Sequence, residues 1–530
     1  MTYDFEASLP VLNRDANVST KSTAVVRHLR DAMLPRTLMG GSRAMRIQRE
    51  LFLPRHDAES PQAYQVRINK TFLHNAFKAS VKNLAGKVFA QPVVLGDDVP
   101  VEFRGSDADG IVGWQENIDL AGRHLNVFAH DLFKEGLITG MCHVLVDMGL
   151  NRMLEPDVDV GSPELSIATT RPYWVLVKSD QVLSYRVGVT PDGIEMLTRI
   201  NILEQTVGPY GDWGEQAVMR VRVLIPGAWQ LWRDVGQQVG EEWKSNWQIE
   251  DEGEMVKADG TPWGRIPLFT FYADRSGFME AESPLMELAE KNLEHWQSSS
   301  EQRNILDYAR RPVLFKSGTR TSDQKQVGWG SAVMFEVAET GAKLEWVEHK
   351  GTAISAGNDD LKSLEDQMAV LSLEPIIMAM RPSAKDPTAT GKSIDTAEAH
   401  SRLQMMAYNL EDALEEGMGL TAEWAGIGSP PGSGGSCKVN DQYGISSFMA
   451  QNIANLIALR AMKFPPGPQI SRLALMTELK RTGILSDDYD AEVDAELIVQ
   501  EALPPSAASV AAFNKISDVL GRAINPDSTT

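Results

Sequence analysis

The stretch SPLMELAEKNLEHWQSSSEQRNILDYAR, Ser283 to Arg310, decides how the rest of the chain is read. Leu285, Leu288, Ala289, Leu293, Trp296, Ile305 and Leu306 recur at helical spacing, no glycine interrupts them, and Pro312 stops the run. Ser283 stands at the N-cap position and Pro284 at the first helical position, where its missing N–H costs nothing. At about 1.5 Å per residue the predicted helix is roughly 40 Å long. Its middle, Gln297-Ser298-Ser299-Ser300, is small and polar, which predicts a helix with a wet face, too polar for the core of a monomer. Glu287, Glu290, Lys291, Glu294, Glu301 and Arg303 exclude a membrane span.

Beyond Pro312 come Val313-Leu314-Phe315, then Ala332–Val337 and Leu344–Val347 around Glu339-Thr340-Gly341-Ala342, which predicts a short β-hairpin. Asn358-Asp359-Asp360 is an N-cap followed by acids that suit a helix dipole. Leu361, Leu364, Met368 and Leu371 then keep a heptad-like stripe until Pro375. Met380 to Lys392, rich in Pro, Ser, Thr and Gly, predicts a loop. Ser393 is placed to cap a third helix striped by Leu403, Met406, Leu410, Leu414, Met418, Thr421 and Trp424.

Before Ser283 the patterns are mixed. Helices are predicted over Thr23–Met33, from Ser60-Pro61 to Gly86 (with Ala63, Ile68, Phe72, Ala76, Phe77 and Leu84 inward) and over Asn117–Gly140. Arg43, Arg46, Arg49 and Arg55 read as a solvated helix face. Val88–Val94 and Met141–Val146 read as strands. Tyr173–Val177, Val182–Val187, Ile194–Ile202, Val218–Ile225, Trp229–Trp232 and Leu268–Tyr272, punctuated by turn residues, predict an antiparallel meander. After Trp424, Ile427–Lys438 is a Gly/Pro/Ser-rich loop, and helices are predicted over Ile445–Met462, Ser471–Arg481 and Glu492–Gln500.

The chain has 530 residues and is 43% hydrophobic, enough for a sizeable core and more than one subdomain. Fifty-one Lys and Arg against 72 Asp and Glu give a formal charge of −21, which argues against a protein that grips nucleic acid over its whole surface. It leaves room for one past which DNA slides. Cys142 and Cys437, far apart, predict two inert thiols, with no disulfide framework. Met1 to Glu6 has neither the basic nor the apolar run of a signal peptide, and no stretch predicts a membrane helix.

No catalytic pattern is present. Gly391-Lys392-Ser393 suggests a phosphate-binding loop, but Asp386 stands where that pattern needs glycine and prolines interrupt the approach. The same loop carries Arg381, Lys385 and Lys392, placed to meet a phosphate backbone. Trp229, Trp232, Trp243, Trp247 and Trp263 beside Glu241, Glu242 and Glu250 suggest a sugar site, although strand tryptophans are more often core. The nine histidines show no metal-ligand spacing, and Asp157/Asp159 and Asp487-Asp488 read as solvated acids.

The order of these parts resembles the portal proteins of tailed bacteriophages. The resemblance is carried by Ile266-Pro267-Leu268-Phe269-Thr270-Phe271 leading to Ser283-Pro284-Leu285. It continues through Leu344-Glu345-Trp346-Val347 and Thr388-Ala389-Thr390-Gly391-Lys392-Ser393 before the long helix. It implies an α+β, portal-like fold with a mixed α/β wing, long stem helices, a small β clip and a helical C-terminal crown. The implied boundaries are wing 1–280, stem helix 281–311, clip 312–352, second stem helix 353–378, tunnel loop 379–393, long wing helix and linker 394–436, and C-terminal region 437–530. It further implies a non-enzymatic, cofactor-free subunit of a dodecameric homo-oligomeric ring at the capsid vertex of the virion, made in the host cytoplasm. Through that ring double-stranded DNA is packaged and ejected, and to it bind the terminase motor, head–tail adaptor proteins and the major capsid protein, with no membrane. Arg381, Lys385 and Lys392 would then face DNA, Glu287, Glu290, Glu294 and Glu301 would line the channel, and Phe335, Leu344 and Trp346 would form the clip interface. The alternatives are a Trp-rich carbohydrate-binding or sugar-acting protein and a coiled-coil scaffold.

Overall fold

The computed structural model describes residues 17–106, 110–148, 171–239, 242–310, 313–317, 343–347, 352–372, 389–430, 432–440, 463–464, 467–468 and 475–476. The chain divides into two compact units, Met1–Asp441 and Gln442–Thr530. In chain order the first unit opens with helices α1 (Thr23–Met39), α2 (Gly41–Ile47), α3 (Arg49–Phe52), α4 (Pro61–Lys70) and α5 (Ala76–Val88), strand β1 (Val94–Leu95), and helices α6 (Val101–Arg104) and α7 (Leu125–Thr139). The β-rich part follows: β2 (Met141–Met148), β3 (Pro172–Val177), β4 (Val182–Val189), β5 (Glu195–Tyr210), β6 (Gly214–Ile225), β7 (Ala228–Asp234), β8 (Gln237–Val239), β9 (Glu242–Lys244), β10 (Trp247–Glu254), β11 (Leu268–Tyr272), β12 (Arg275–Gly277) and β13 (Glu280–Ala281). Helix α8 (Met286–Ala309), strands β14 (Val313–Ser317) and β15 (Lys343–Val347), helices α9 (Thr352–Leu371) and α10 (Ala389–Ala425), and β16 (Cys437–Lys438) complete it. The described part of the second unit holds a small hairpin of β17 (Lys463–Phe464) and β18 (Gly467–Pro468).

The fold is α+β. The core is built on a three-stranded antiparallel sheet, β11-β2-β3. Its register places Phe269 opposite Val144, Phe271 opposite Cys142 and Val146 opposite Trp174, so these side chains share one face. Helices α7 and α10 lie on that face. Trp174, buried, donates its indole N–H to Thr421 Oγ1 at 2.8 Å and sits among the rings of Phe103, Phe128 and Phe269. The α10 stripe predicted from spacing, Leu403 through Trp424, is buried at every position. Trp263 stacks against Trp424 with ring centroids 5.1 Å apart. The opposite face of the sheet carries His143, fully buried, with Nδ1 2.9 Å from Thr270 Oγ1. Burial drives its pKa down to about 3, so the ring is neutral.

The single meander predicted from Tyr173 to Tyr272 is divided: β3 and β11 pair with β2 in the core sheet, and the remaining strands form the five-stranded sheet β10-β7-β6-β5-β4, with the β8–β9 hairpin inserted between β7 and β10. Paired charges lace its surface: Arg220 grips Glu250 with two nitrogens at 2.6 and 2.7 Å, and Arg222 bridges Glu204 and Asp147.

Several boundaries differ from those that spacing predicts. Helix α1 continues past Met33 through Pro35 to Met39. The single helix predicted from Pro61 to Gly86 is two. Asn75 breaks it by capping α5, accepting from Lys78 N–H at 2.9 Å, and α5 then runs through the exposed Gly86 to Val88. The strand predicted over Val88–Val94 reduces to Val94–Leu95, paired with β16. The helix predicted from Asn117 begins at Leu125, because Leu120 takes a positive φ of 58° in a turn. Helix α9 starts at Thr352, six residues before Asn358, whose amide binds another helix rather than capping its own. Helix α10 starts at Ala389, so Ser393 is a helical residue and not its cap: Gly391 falls within the first turn, where backbone N–H groups have no helical partner to lose. The predicted helices 445–462, 471–481 and 492–500 lie outside the described residues or reach them only at 475–476.

Close packing on the sheet yields a test. A Cβ at Gly417 would meet Phe269 Cε1 at 2.5 Å and Trp174 Cζ2 at 2.9 Å. Gly417→Ala is expected to destabilise the larger unit by about 1–3 kcal/mol despite the better helix propensity of alanine. Denaturant titration followed by tryptophan fluorescence checks it, and an unchanged midpoint refutes it.

Candidate functional site

Helix α8 begins where the sequence places its signals. Ser283 Oγ accepts from Leu285 N–H at 3.3 Å and donates to Leu137 C=O at 2.8 Å, tying the helix entrance to α7. The chain first makes a turn over Pro284-Leu285, so α8 itself starts at Met286.

The polar middle of α8 is only partly wet: Gln297, Ser298 and Ser299 are half-buried and Ser300 is buried. Asn292, Ser300, His295 and Gln302 are all buried. Asn292, Ser300 and Gln302 are each held by a partner on a neighbouring helix or its flanking loop, because a buried polar group without one costs about 1–3 kcal/mol, whereas His295 Nδ1 is buried without a hydrogen-bond partner. Asn292 accepts from Phe77 N–H at 3.1 Å and donates to His74 C=O at 2.7 Å. Gln297 donates to Phe52 C=O at 2.7 Å. Ser300 accepts from Thr71 Oγ1 at 3.0 Å and from Arg67 Nη1 at 3.4 Å. Arg67 is itself buried and holds Glu59 with two nitrogens at 2.9 and 2.8 Å, which keeps that carboxyl below its usual range. Lys70 and Asp307 form an ion pair further along.

Gln302 donates to Ile354 C=O at 2.8 Å and to Asn358 Oδ1 at 3.1 Å, and His295 Nε2 lies 3.6 Å from Glu365 Oε1. Position 302 meets 354–358 while 295 meets 365, so α8 and α9 run antiparallel. They approach so closely at Gly357 that a Cβ there would meet Gln302 Oε1 at 2.1 Å. Burial, with His74 beside it, holds the His295 pKa below its ordinary value against the opposing pull of Glu365 and Asp360.

The outer side of α8 is acidic. Glu287, Glu290, Glu294 and Glu301 are all exposed, and at 3.6 residues per turn they fall within an arc of about 60°. Lys291 pairs with Glu294 at 2.7 Å. The helix thus has buried polar side chains inward, most of them hydrogen-bonded, and a negative stripe outward.

The other predicted site residues are scattered. Arg381, Lys385 and Phe335 lie outside the described residues, as does the segment 332–337 expected to pair with 344–347. The described partner of β15 is instead β14: Leu344 stands opposite Lys316 and Trp346 opposite Leu314, and alternation puts Leu344 and Trp346 on one face of the strand. Lys392 is in the first turn of α10, not in a loop. Of the tryptophans, Trp263 is buried, and Trp229 and Trp232, three apart on β7, lie on opposite faces. Cys142 and Cys437 are free and buried, and burial pushes the Cys437 thiol up to about 12. Among the described residues no group of His, Cys, Asp and Glu is arranged to hold a metal ion, and no helix is long and apolar enough to cross a membrane.

The buried ribbon on α8 was missed at the sequence level. Part of its signal is there, since Asn292, His295 and Gln302 repeat at helical spacing on the side away from the acids.

Two tests follow from this geometry. Asn292→Leu strands the Phe77 N–H and the His74 carbonyl, so it is expected to cost about 2–4 kcal/mol of unfolding free energy in a urea titration. His295 is neutral in the native state, whereas the unfolded chain takes up its proton near the ordinary 6.5. Its contribution to stability is therefore full above that pH and declines as pH falls below it toward the lower native pKa. Unfolding titrations at about pH 7.5 and 5.5 should show a loss that His295→Gln reduces. An identical loss in both proteins refutes the assignment.

A family model described as a domain of unknown function (DUF4055) matches residues 284–425, the block from the turn before α8 to the last residue of α10. No curated protein matches the chain. Among solved structures, a chain from the neck of a native GTA particle computed with C12 symmetry matches at 13% identity and a TM-score of 0.39, covering 81% of this chain and 90% of that one. A likeness that distant carries no argument about function.

Proposed function

We propose that the chain is a structural, non-enzymatic portal subunit of a tailed phage. Copies associate into a ring at the capsid vertex, around a channel for double-stranded DNA. The observation that carries the reading is α8 itself: an antiparallel partner in α9, a two-stranded sheet, β14 with β15, between them in sequence, and four exposed acids along one stripe. Of the residues that carry the resemblance, Leu268–Phe271 lie on β11, Ser283–Leu285 at the entrance of α8, Leu344–Val347 on β15 and Ala389–Ser393 at the start of α10.

Negative walls suit a channel of this kind. They repel a phosphate backbone and leave it free to move, where arginine and lysine would hold it. Exposed acids cost a lone helix little, since water screens them, and gathered around an axis their field adds up. A heterologous contact repeated around that axis closes a ring. In this reading the ring has twelve copies, and Arg381, Lys385 and Lys392 add brief phosphate contacts at the narrowest point. The strands holding Leu344 and Trp346, with Phe335, meet the terminase motor and later the head–tail adaptors. The wing meets the major capsid protein, and the subunit is made in the host cytoplasm. ATP hydrolysis belongs to another chain.

The stripes of α9 and α10 are filled by the chain's own helices and sheet, which favours this reading over an intermolecular coiled coil. The position of Trp263 in the core weighs against the sugar-binding alternative.

Negative-stain images and native mass measurement of the purified protein test the proposal. Rings with a central hole wide enough for a duplex are expected, and only monomers or dimers, in solution and in particles alike, would overturn it. Replacing Glu287, Glu290, Glu294 and Glu301 by Gln should leave the rings intact but slow DNA passage, most at low salt, because screening already weakens the field at high salt. Unchanged packaging rates across salt concentrations would remove these acids from the channel wall.

A further inference from the structure

The β5–β6 hairpin is longer than the sheet that holds it. Strand β4 pairs with β5 only as far as Ile202, and β7 pairs with β6 only from Arg220 onward. Residues 203–219 therefore form a two-stranded arm with no further strand on either side. Such a ribbon alone is marginally stable in water. At its tip, in the turn before β6, Trp213 is 98% exposed, between Asp212 and the nearby Glu215. Val207, on the arm, is also exposed. A tryptophan placed this way contributes nothing to its own chain, and tryptophan is the residue most enriched at the centres of protein interfaces.

Exposed apolar side chains that could receive it lie at several places on the described surface. Val101, Ile111 and Val112 lie near Asp97, Asp98 and Glu102, and Val94, Met405 and Tyr408 lie near Glu411. Asp97 is paired with Arg104 and Glu411 has Lys438 beside it, so neither place offers an acidic tip a surplus of positive charge. Ile47, Leu51 and Phe72, which are 67, 44 and 63% exposed, have basic surroundings. Arg43, Ile47 and Leu51 recur every four residues along α2 and α3, and the Arg46 guanidinium lies over the Phe72 ring at 4.8 Å. Between residues 41 and 52 there are three arginines against the single acid Glu50.

We propose that the arm of one subunit seats Trp213 on Ile47, Leu51 and Phe72 of a second copy of this chain, with Asp212 and Glu215 facing Arg43 and Arg46. The contact joins two different surfaces, so repeated in one direction around an axis it closes a ring. It rests on the ring reading above and names one of the contacts that would hold the ring together. The charges select the register and the partner, and the tryptophan supplies most of the buried area.

The test is site-directed cross-linking of co-expressed chains. Trp213→Cys is placed in one chain and Ile47→Cys in the other, with a bifunctional maleimide as the probe. The native thiols are buried, so the reagent reports the introduced ones. A covalent dimer is expected from the mixture and from neither chain alone. Trp213→Ala, which touches no core residue, should raise the protein concentration needed for assembly by about thirtyfold, the effect of a removed hot-spot residue. Asp212→Arg with Glu215→Arg should weaken assembly likewise, and Arg43→Glu in the same chain should restore part of it. Rings that form normally in microscopy without the cross-link, and at unchanged concentration in Trp213→Ala, overturn this inference and leave the proposed function standing. Absence of rings from the unsubstituted protein overturns both.

Discussion

The requirement that buried polar groups be paired organises the larger unit. Helix α8 carries amides and a hydroxyl whose hydrogen bonds reach the neighbouring segments, and none of these tolerates an apolar neighbour in place of its partner. The N-terminal helices therefore meet α8 at fixed points: Phe77 and His74 at Asn292, Phe52 at Gln297, Thr71 and Arg67 at Ser300. Helix α9 meets it at Gln302. Apolar packing alone would let such helices slide by a turn at small cost. Hydrogen bonds of fixed direction do not, and they define the register of α8 against four other segments.

This division of labour explains how one helix can be both a scaffold and a wet surface. The inward ribbon fixes the rotation of α8, and the rotation fixes where Glu287, Glu290, Glu294 and Glu301 point. A stripe of acids is useful to a channel only if every copy presents it at the same angle. Arg67, buried with Glu59, is part of the same device at one remove, because it positions the α4 turn that reaches Ser300.

Much of the fold was legible in the sequence. The meander, the strand Leu268–Tyr272 and the α10 stripe follow from period, and every α10 position named from spacing is buried. What was not legible depended on contacts distant in sequence. Gln297 to Ser300 reads as solvent-facing because composition cannot reveal Phe52, Thr71 and Arg67 on the other side. Asn75 and Asn358 are both helix-capping residues by type, yet one caps a helix and the other binds Gln302. The acid stripe on α8 was visible as a spacing, and the arm at Trp213 was not, because a turn between two strands says nothing of how far they extend beyond the rest of the sheet.

The smallest sheet of the larger unit bears on the order of events during synthesis. Strand β1 pairs with β16, Val94 opposite Lys438 and Leu95 opposite Cys437, so two segments from nearly opposite ends of the unit are joined directly. Ser436 reinforces the join by donating to Asp98 at 2.8 Å. Contacts of such high sequence separation form late, since a long loop must close before they give any return. On the ribosome the nascent chain cannot complete this unit until residue 438 has emerged, and until then the apolar stripe of α10 lacks its full setting. Closure of this small sheet therefore waits for a strand made more than 300 residues after its partner.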